Sequence, residues 1–287
     1  MDMRTRKWEI RMCDLLGLNF SHPINTKISL DLFQLRGKEN PDGWGVAYYR
    51  ENKLHVIKEP MPSIKSLLFD FVEDYPRTCT LISHVRRSTR GGKRYANTHP
   101  FYRELSIGSH VQEYAFAHNG TLQDVSSLTS DFYKPVGETD SERAFCYLLD
   151  TIRQRSIESW GSREFALIES LLQDMNTPDN TLNCLFSNGN MLFCYSDEND
   201  HNAGLRFLSL SKTSRSFELR DEDKQYGEVK VGTSLVDGIE EPNIQGVLVS
   251  TRRLGNHDWT EFRGGEMIVF KNGKMVYPFD KKNSRDL

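Results

Sequence analysis

The six residues Met12-Cys13-Asp14-Leu15-Leu16-Gly17 guide the interpretation of this 287-residue chain. A cysteine directly follows a methionine and precedes a short apolar run, which indicates a buried strand. If Met12 is the true first residue, its removal leaves Cys13 with a thiol and a free α-amino group. This amine has an ordinary pKa of about 8 and can act as the base for its own thiol. The alternative is that Cys13 is a small buried residue at a strand start.

The composition indicates an ordinary globular protein in a reducing compartment. Hydrophobic residues form 37% and charged residues 27% of the chain, and the formal charge is -3. The chain has no long run of residues with the same charge, so nothing indicates binding to nucleic acid or to an anionic membrane. The five cysteines are scattered without a CxxC pair, and no stretch reaches the roughly 20 apolar residues of a membrane span. We therefore predict a cytoplasmic protein that binds neither nucleic acid nor membrane.

Residues 1–12 show no pattern of a packed element and are rich in arginine and lysine. They are interpreted as a leader, a propeptide or a misassigned start. They lack the apolar centre of a secretion signal. We favour a start at Met12, because an initiator methionine is commonly removed before a small residue.

Hydrophobic periodicity predicts mixed α and β structure in one domain. Strands are predicted at 15–18, 46–49, 53–58, 78–85, 114–117, 181–187, 191–195, 205–210, 246–250, 267–270 and 274–277. Helical spacing is predicted at 28–35, 64–72, 140–152 and 165–175, and a charged loop at 220–230. We expect Ser63 to cap the second helix, and Asp140 or Ser141 to cap the third. In the second helix, the expected buried face consists of Ile64, Leu67, Leu68, Phe71 and Val72.

Polar clusters lie at or beyond the ends of the predicted strands. They are His84-Val85-Arg86 with the loop to Gly92, Asn97-Thr98-His99-Pro100, His118-Asn119-Gly120 and Gly137-Glu138-Thr139-Asp140. A loop rich in glycine and arginine at a strand end is typical of anion recognition. Taken singly, Arg86 could form a surface ion pair, Asn119-Gly120 a hairpin turn and Asp140 a helix cap. The histidine spacings fit no compact metal site, so no metal is predicted.

Taken in order, these motifs resemble the class II, N-terminal-nucleophile glutamine amidotransferases, and in particular the YafJ-like subgroup. The motifs are Met-Cys-Asp-Leu-Leu-Gly, Asp-Gly-Trp-Gly, His-Val-Arg, Asn-Thr-His-Pro-Phe, His-Asn-Gly and Gly-Glu-Thr-Asp-Ser-Glu. The chain is also similar to the amidotransferase subunit of the yeast glutathione-degrading complex. The resemblance implies an α+β fold, a four-layer αββα sandwich of two mainly antiparallel sheets. It implies a single amidotransferase domain at 13–280, followed by a polar tail at 281–287.

The resemblance also implies roles for individual residues. The matching residues are catalytic Cys13, Asn119 and Gly120, and substrate-binding Arg86, Thr89, His99 and Asp140. Cys13 would attack the γ-carbonyl of glutamine or a γ-glutamyl compound and form a thioester, while the other two catalytic residues bind the oxyanion. Arg86 would hold the α-carboxylate and Asp140 the α-ammonium group.

Two features leave alternatives open. Cys13 is not residue 1, and while any residue precedes it, its nitrogen is an amide that cannot act as a base. The chain also shows no synthase or cofactor motif, so no cofactor is predicted, and the ammonia is either released or used by a separate partner protein. The alternatives are a non-catalytic subunit that keeps the fold to bind a partner, and a thiol hydrolase with His99 or His118 as base.

Overall fold

Two antiparallel sheets form the centre of the computed structural model. It describes residues 13–25, 34–74, 77–199, 201–202, 204–211, 216–220, 228–232, 244–254 and 257–278. The strands are β1 (Asp14–Asn25), β2 (Gly43–Arg50), β3 (Lys53–Glu59), β4 (Arg77–Arg86), β5 (Phe101–Ile107), β6 (His110–Thr121), β7 (Thr181–Ser187), β8 (Met191–Tyr195), β9 (Arg206–Ser211), β10 (Ser216–Arg220), β11 (Glu228–Gly232), β12 (Gln245–Ser250), β13 (Thr260–Glu261), β14 (Met267–Lys271) and β15 (Lys274–Tyr277). The helices are α1 (Leu67–Asp74), α2 (Asp140–Gln154) and α3 (Ser162–Met175).

The sheets stack face to face between helices, in four layers. One sheet has seven strands in the order β13-β9-β12-β1-β4-β2-β3, and the other has six in the order β15-β14-β8-β7-β6-β5. An apolar cluster that includes Leu15 and Leu192 fills the space between them. Helices α2 and α3 cover the outer face of the six-stranded sheet, and α1 covers that of the seven-stranded sheet. The predicted αββα sandwich is therefore confirmed, and every strand pair in the described chain is antiparallel.

Alternation along β1 and β4 decides which side chains face the candidate site. Leu15 belongs to the cluster between the sheets, whereas Leu16 belongs to the cluster under α1. Successive residues of a strand point to opposite faces. Leu15 pairs with His84 in the ladder between β1 and β4. Cys13 and Arg86 therefore lie on the same inner face at the end of these neighbouring strands.

The strongest periodic patterns are confirmed. The predicted apolar stripes of α2 and α3 are buried against the six-stranded sheet. Strands β7 and β8 have the predicted bounds and pair as a hairpin around Asn188, Gly189 and Asn190. No helix in the described part of the chain is long and apolar enough to cross a membrane.

The region around α1 differs from the prediction. Ser63 begins a short 3-10 helix, and the hydroxyl of Ser66 instead accepts the hydrogen bond from the Phe69 amide at the start of α1. Phe69 and Val72 are the buried residues of this helix. Leu67 and the other apolar residues expected on the buried face are exposed. The α-helix begins only at Leu67, after a separate 3-10 helix that ends at Lys65, so the periodic pattern that starts at Ile64 does not describe its buried face.

Three further expectations are wrong. Thr139, not Asp140 or Ser141, caps α2 by accepting a hydrogen bond from the Glu142 amide at 3.2 Å. The alternative of a hairpin turn at Asn119-Gly120 fails because both residues lie within β6 and pair with β7. Strands β10 and β11 occupy both ends of the expected charged loop. Most of the helix expected at 28–35, the leader and the polar tail lie outside the described residues.

Candidate active site

Cys13 lies at the end of the space between the two sheets, immediately before β1. Its sulfur donates a hydrogen bond to the Arg87 carbonyl at 3.2 Å and accepts one from the Arg87 amide at 3.1 Å. Burial raises the pKa of this thiol to about 11, although the Arg87 amide and the nearby Arg86 charge act in the opposite direction. The thiol is therefore protonated near neutral pH, and nucleophilic attack requires a base.

Asn119 reaches Cys13 from the opposite sheet. Its side-chain amide donates to the Cys13 carbonyl at 2.5 Å, which brings β6 into contact with the start of β1. The Oδ1 atom of Asn119 is buried and has no hydrogen-bond partner in the described structure. One amide hydrogen and one acceptor of this side chain thus remain available next to the Cys13 backbone.

Gly120 follows in the same strand and is sterically required there. A Cβ atom at this position would lie 1.9 Å from the Thr181 carbonyl oxygen and 2.6 Å from Nε2 of His118. No side chain fits between β6 and β7 at this point. Together with Asn119, Gly120 belongs to a close-packed stretch of β6 that reaches Cys13.

The Arg86 side chain is 3% exposed and lies on the same inner face as Cys13. One guanidinium nitrogen, Nη2, donates to the Arg90 carbonyl at 2.8 Å, and the other, Nη1, has no partner among the described residues. Burial lowers the pKa of Arg86, while the charges of Cys13, Asp42 and Asp140 raise it. A buried cation with an unused donor is arranged to receive an anionic group.

Asp140 is held near this arginine by a tie between two loops. Nδ2 of Asn97 donates to the Gly92 carbonyl at 3.1 Å, and its Oδ1 accepts from the Glu138 amide at 2.8 Å. The loop after Arg86 is therefore fixed to the segment that begins α2. Asp140 is 6% exposed, and one of its oxygens accepts a hydrogen bond from the Leu122 amide.

Comparison with known proteins identifies the family. A family profile for class II glutamine amidotransferases matches residues 12–286. The chain belongs to this family. An uncharacterized protein of Methanocaldococcus jannaschii, MJ1515, is 40% identical over 269 residues, 93% of this chain and 71% of that protein. The putative glutamine amidotransferase YafJ of Escherichia coli is 32% identical over 272 residues, 92% of this chain and 100% of YafJ. The resemblance to the YafJ-like subgroup is confirmed.

Two further relatives agree with this assignment. A crystal structure of a predicted glutamine amidotransferase from Pseudomonas aeruginosa has a TM-score of 0.67 at 27% identity, covering 92% of this chain and 99% of that one. The probable glutamine amidotransferase DUG3 of Saccharomyces cerevisiae is 28% identical over 163 residues, 51% of this chain and 43% of DUG3. The similarity to the yeast protein is therefore confined to about half of the chain.

The three buried histidines of this amidotransferase do not contact the Cys13 sulfur, whose two hydrogen bonds are to Arg87. His118 is fully used, because Nε2 donates to the Thr181 carbonyl and Nδ1 accepts from the Ser141 hydroxyl, both at 2.9 Å. His84 and His99 have no hydrogen-bond partner of normal geometry in the described structure. Burial lowers the pKa of His84 to about 3 and that of His99 well below its ordinary value. This geometry does not favour a histidine base for the thiol.

His99 is instead packed into the floor of the site. Its ring lies 4.3 Å from that of His84 and 4.5 Å from that of Phe101, measured between ring centres. Gly45 makes this packing possible, since a Cβ there would lie 2.1 Å from the His99 carbonyl oxygen. Gly45, the second glycine in the Asp-Gly-Trp-Gly motif, thus makes room for the segment that carries His99.

Thr89 occupies the rim. It is exposed, and its hydroxyl lies 3.1 Å from the Thr121 hydroxyl, one residue beyond Gly120. The loop after Arg86 therefore reaches across to β6. All seven residues named from the sequence lie at this end of the sheets or in the loops attached to it.

Sequence reasoning assigned no role to four residues that support the site. They are Asp14, Asp42, Lys58 and Asn97. Asp42 accepts a hydrogen bond from the Ser88 amide at 2.8 Å, and Lys58 donates to the Thr98 carbonyl at 2.6 Å. Asp14, Asp42 and Asn97 lie within the quoted motifs and Lys58 lies in β3, but each has a partner that is distant in the sequence.

Proposed function

We propose that the chain is an amidohydrolase that cleaves the γ-amide of glutamine or of a γ-glutamyl compound through a thioester on Cys13. The observation that supports this proposal most strongly is the unpartnered Nη1 of buried Arg86, which lies on the same inner face as Cys13. An amino-acid head group with a carboxylate matches this donor. The expected reaction belongs to the class II amidotransferases.

Cys13 is the proposed nucleophile and its own α-amine the proposed base. The amine takes the thiol proton, and the thiolate attacks the γ-carbonyl carbon. Collapse of the tetrahedral intermediate breaks the C–N bond, and the α-ammonium returns the proton to the departing ammonia or amine. Water then hydrolyses the γ-glutamyl thioester and releases glutamate. The amine exists only when Cys13 is the N-terminus, so we propose that activity requires removal of residues 1–12.

Asn119 and Gly120 are the proposed donors to the oxyanion. Nδ2 of Asn119 has two hydrogens, and the Cys13 carbonyl uses one of them. The second hydrogen and the Gly120 amide are suited to the charge that develops on the carbonyl oxygen. One such donor typically contributes about 3 kcal/mol of transition-state stabilisation.

The glutamyl head group is proposed to lie between Arg86 and Asp140. These side chains carry the charges that complement an α-carboxylate and an α-ammonium group. Thr89 and His99 are proposed to line the pocket, the first at its rim and the second at its floor. None of these contacts involves the part of the substrate that leaves when the γ-amide bond is cleaved. The site should therefore accept either glutamine or a γ-glutamyl peptide such as glutathione.

The fate of the released amine is part of the proposal. We assign residues 13–280 to a single amidotransferase domain and propose that a separate protein partner or the solvent receives the ammonia or peptide. All five cysteines are free in the structure. A reducing compartment such as the cytoplasm suits an enzyme whose nucleophile is a thiol.

The test is an intact mass of the purified protein, before and after exposure to a glutamine-like diazo-ketone. The expected mass is that of a chain that begins at Cys13, and after exposure it should include one adduct on that residue. A Cys13→Ala variant should take up no reagent. Glutamate release from glutamine should appear only in protein that begins at Cys13. Protein that begins at Cys13 but neither reacts nor releases glutamate would overturn the proposal.

A non-catalytic or partner-dependent subunit is the second candidate. It is favoured by one observation, the twelve residues that precede Cys13 in the sequence. A chain that keeps these residues has no α-amine on Cys13. Retention of the leader in purified protein, with no adduct, would favour this candidate.

A further inference from the structure

Asp14 directly follows the proposed nucleophile in the chain, and it is almost completely buried, with 2% of the residue exposed. Its Oδ2 accepts hydrogen bonds from Nε of Arg36 at 3.0 Å and from Nδ2 of Asn40 at 2.9 Å. Its Oδ1 accepts from Nε of Arg252 at 2.9 Å. A buried carboxylate held by two guanidinium groups and an amide is strongly localised.

The partners of Asp14 come from two distant parts of the chain. Arg36 and Asn40 lie between β1 and β2, whereas Arg252 follows β12. Thr251 adds a second tie, because its hydroxyl accepts from the Leu15 amide at 3.1 Å and its own amide donates to the Leu15 carbonyl at 3.3 Å. The first residues after Cys13 are therefore fixed by segments that are remote in sequence.

Asp14 does not itself face the pocket. Side chains alternate along β1, and Leu15 points into the space between the sheets. Asp14 consequently points to the outer face, away from Asn119 and the proposed substrate. The charge of Asp14 helps to raise the pKa of the Cys13 thiol, whereas its hydrogen bonds can affect the position of Cys13 only through the backbone.

We propose that Asp14 is the positioning residue that holds the freed N-terminal cysteine in its reactive place. This inference rests on the proposed function. A chain terminus ordinarily frays, and ordering one residue costs about 1–2 kcal/mol. Without a preceding residue, Cys13 has covalent support on one side only. The contacts of Asp14 supply that support, so that the α-amine and sulfur stay beside Asn119. A misplacement of about 1 Å is enough to slow a reaction by about 100-fold.

The test compares Asp14→Asn with Asp14→Glu in protein that begins at Cys13, as verified by intact mass. In Asp14→Asn we expect kcat for glutamine to fall by about 100-fold. KM should remain within about 3-fold, because Arg86 and Asp140 do not contact Asp14. Asp14→Glu keeps the negative charge that both arginines bind, and its kcat should be at least about 10-fold higher than that of Asp14→Asn.

Asp150→Asn is the matched control. Asp150 is 3% exposed and accepts hydrogen bonds from the backbone amides of Asp131, Phe132 and Tyr133, all remote from Cys13. Its replacement should lower the melting temperature without changing kcat or KM. An equal loss of kcat in both variants would mean that Asp14 acts only on stability, and would overturn the inference.

A second readout does not depend on glutamine turnover. The rate of alkylation of Cys13 by iodoacetamide is followed by peptide mass, with half-buried Cys79 as the internal reference. In Asp14→Asn, the alkylation rate of the loosened cysteine should rise about 10-fold after correction for the change in its thiol pKa, which is read from the pH dependence of the rate, while Cys79 is unchanged. If the wild type lacks glutaminase activity but this acceleration occurs, the proposed function fails and the anchoring role stands. Unchanged alkylation with unchanged kcat would overturn the anchoring role.

Discussion

The side chain of Asn119 donates a hydrogen bond to the backbone carbonyl of Cys13. This bond joins the end of the six-stranded sheet to the first residue before the seven-stranded sheet. It means that the proposed oxyanion donor and the proposed nucleophile hold each other in place.

Replacement of Asn119 by alanine should reduce kcat by about 100- to 1000-fold, because it removes one proposed oxyanion donor. Steady-state glutamate release measures this loss. Asn188→Ala is the control, since Asn188 is a buried asparagine in the hairpin between β7 and β8. A kcat for Asn119→Ala equal to that of the control would exclude Asn119 from the oxyanion site.

Replacement of Arg86 by lysine should raise KM for glutamine by about 100-fold with a smaller change in kcat. Lysine keeps the charge but loses the planar fork that binds both carboxylate oxygens. Arg143→Lys, an exposed position of α2, should leave both parameters unchanged. Normal KM in Arg86→Lys and in Arg86→Ala would contradict the proposed carboxylate contact.

Replacement of Gly45 by alanine should destabilise the protein by at least about 1–3 kcal/mol, because the added methyl group overlaps the His99 carbonyl. Chemical denaturation measures the change. Gly92→Ala serves for comparison, since the nearest atom to its added Cβ lies 3.9 Å away. The prediction fails if the two variants have the same stability.

Acid should destabilise the fold through His84. Burial lowers its folded pKa from 6.5 to about 3. Between these values the unfolded chain binds a proton and the folded chain does not, so stability falls as pH falls from 6.5 towards 3. Each such group contributes a slope of about 1.4 kcal/mol per pH unit within this window.

The same direction holds for the buried His99 and His118, whose pKa values are also lowered by burial. In the His84→Gln variant, the slope of the unfolding free energy against pH should therefore decrease by the contribution of one histidine, while the contributions of His99 and His118 remain. Urea denaturation at several pH values between 6.5 and 4.5 measures the slope. His110→Gln, an exposed position, should keep the wild-type slope. A His84→Gln slope equal to the wild-type value would refute the assignment.

Local sequence signals predicted the long regular elements and the position of the proposed nucleophile. The stripes of α2 and α3 and the hairpin of β7 and β8 carry full periodic patterns, so their positions are correct. The short helix α1 begins only at Leu67, after a separate 3-10 helix, and its exposed Leu67 was expected to be buried. Strand β5, a sheet edge whose exposed residues include Tyr102, was not predicted at all.

The site residues were found as motifs, but their supports were not. Asn97 was quoted within a motif, yet its tie between Gly92 and Glu138 depends on loop positions that no local pattern reveals. The contact of Asp14 with Arg252 spans 238 residues of sequence. The exact register of the hairpin of β7 and β8 also lies beyond a local pattern: Cys184 pairs with Tyr195, and Cys194 pairs with Leu185. A shift of one residue reverses the face of a strand residue, which explains why the two thiols lie in different apolar clusters.

The register of β1 against β4 also determines how far Cys13 lies from Arg86. Asp14 pairs with Val85, so Cys13 is level with Arg86 at the next rung of the ladder. Backbone hydrogen bonds of the sheet fix the two backbone positions, and the Arg90 carbonyl holds the guanidinium group, so together they set the span from the sulfur to the guanidinium group. If Arg86 binds the carboxylate and Cys13 attacks the carbonyl, as proposed, this span acts as a gauge of the number of carbon atoms between the two substrate groups. Asparagine is one methylene group too short for this gauge and should be hydrolysed at least about 100-fold more slowly than glutamine. Equal turnover of the two amino acids would show that the ladder does not set this span.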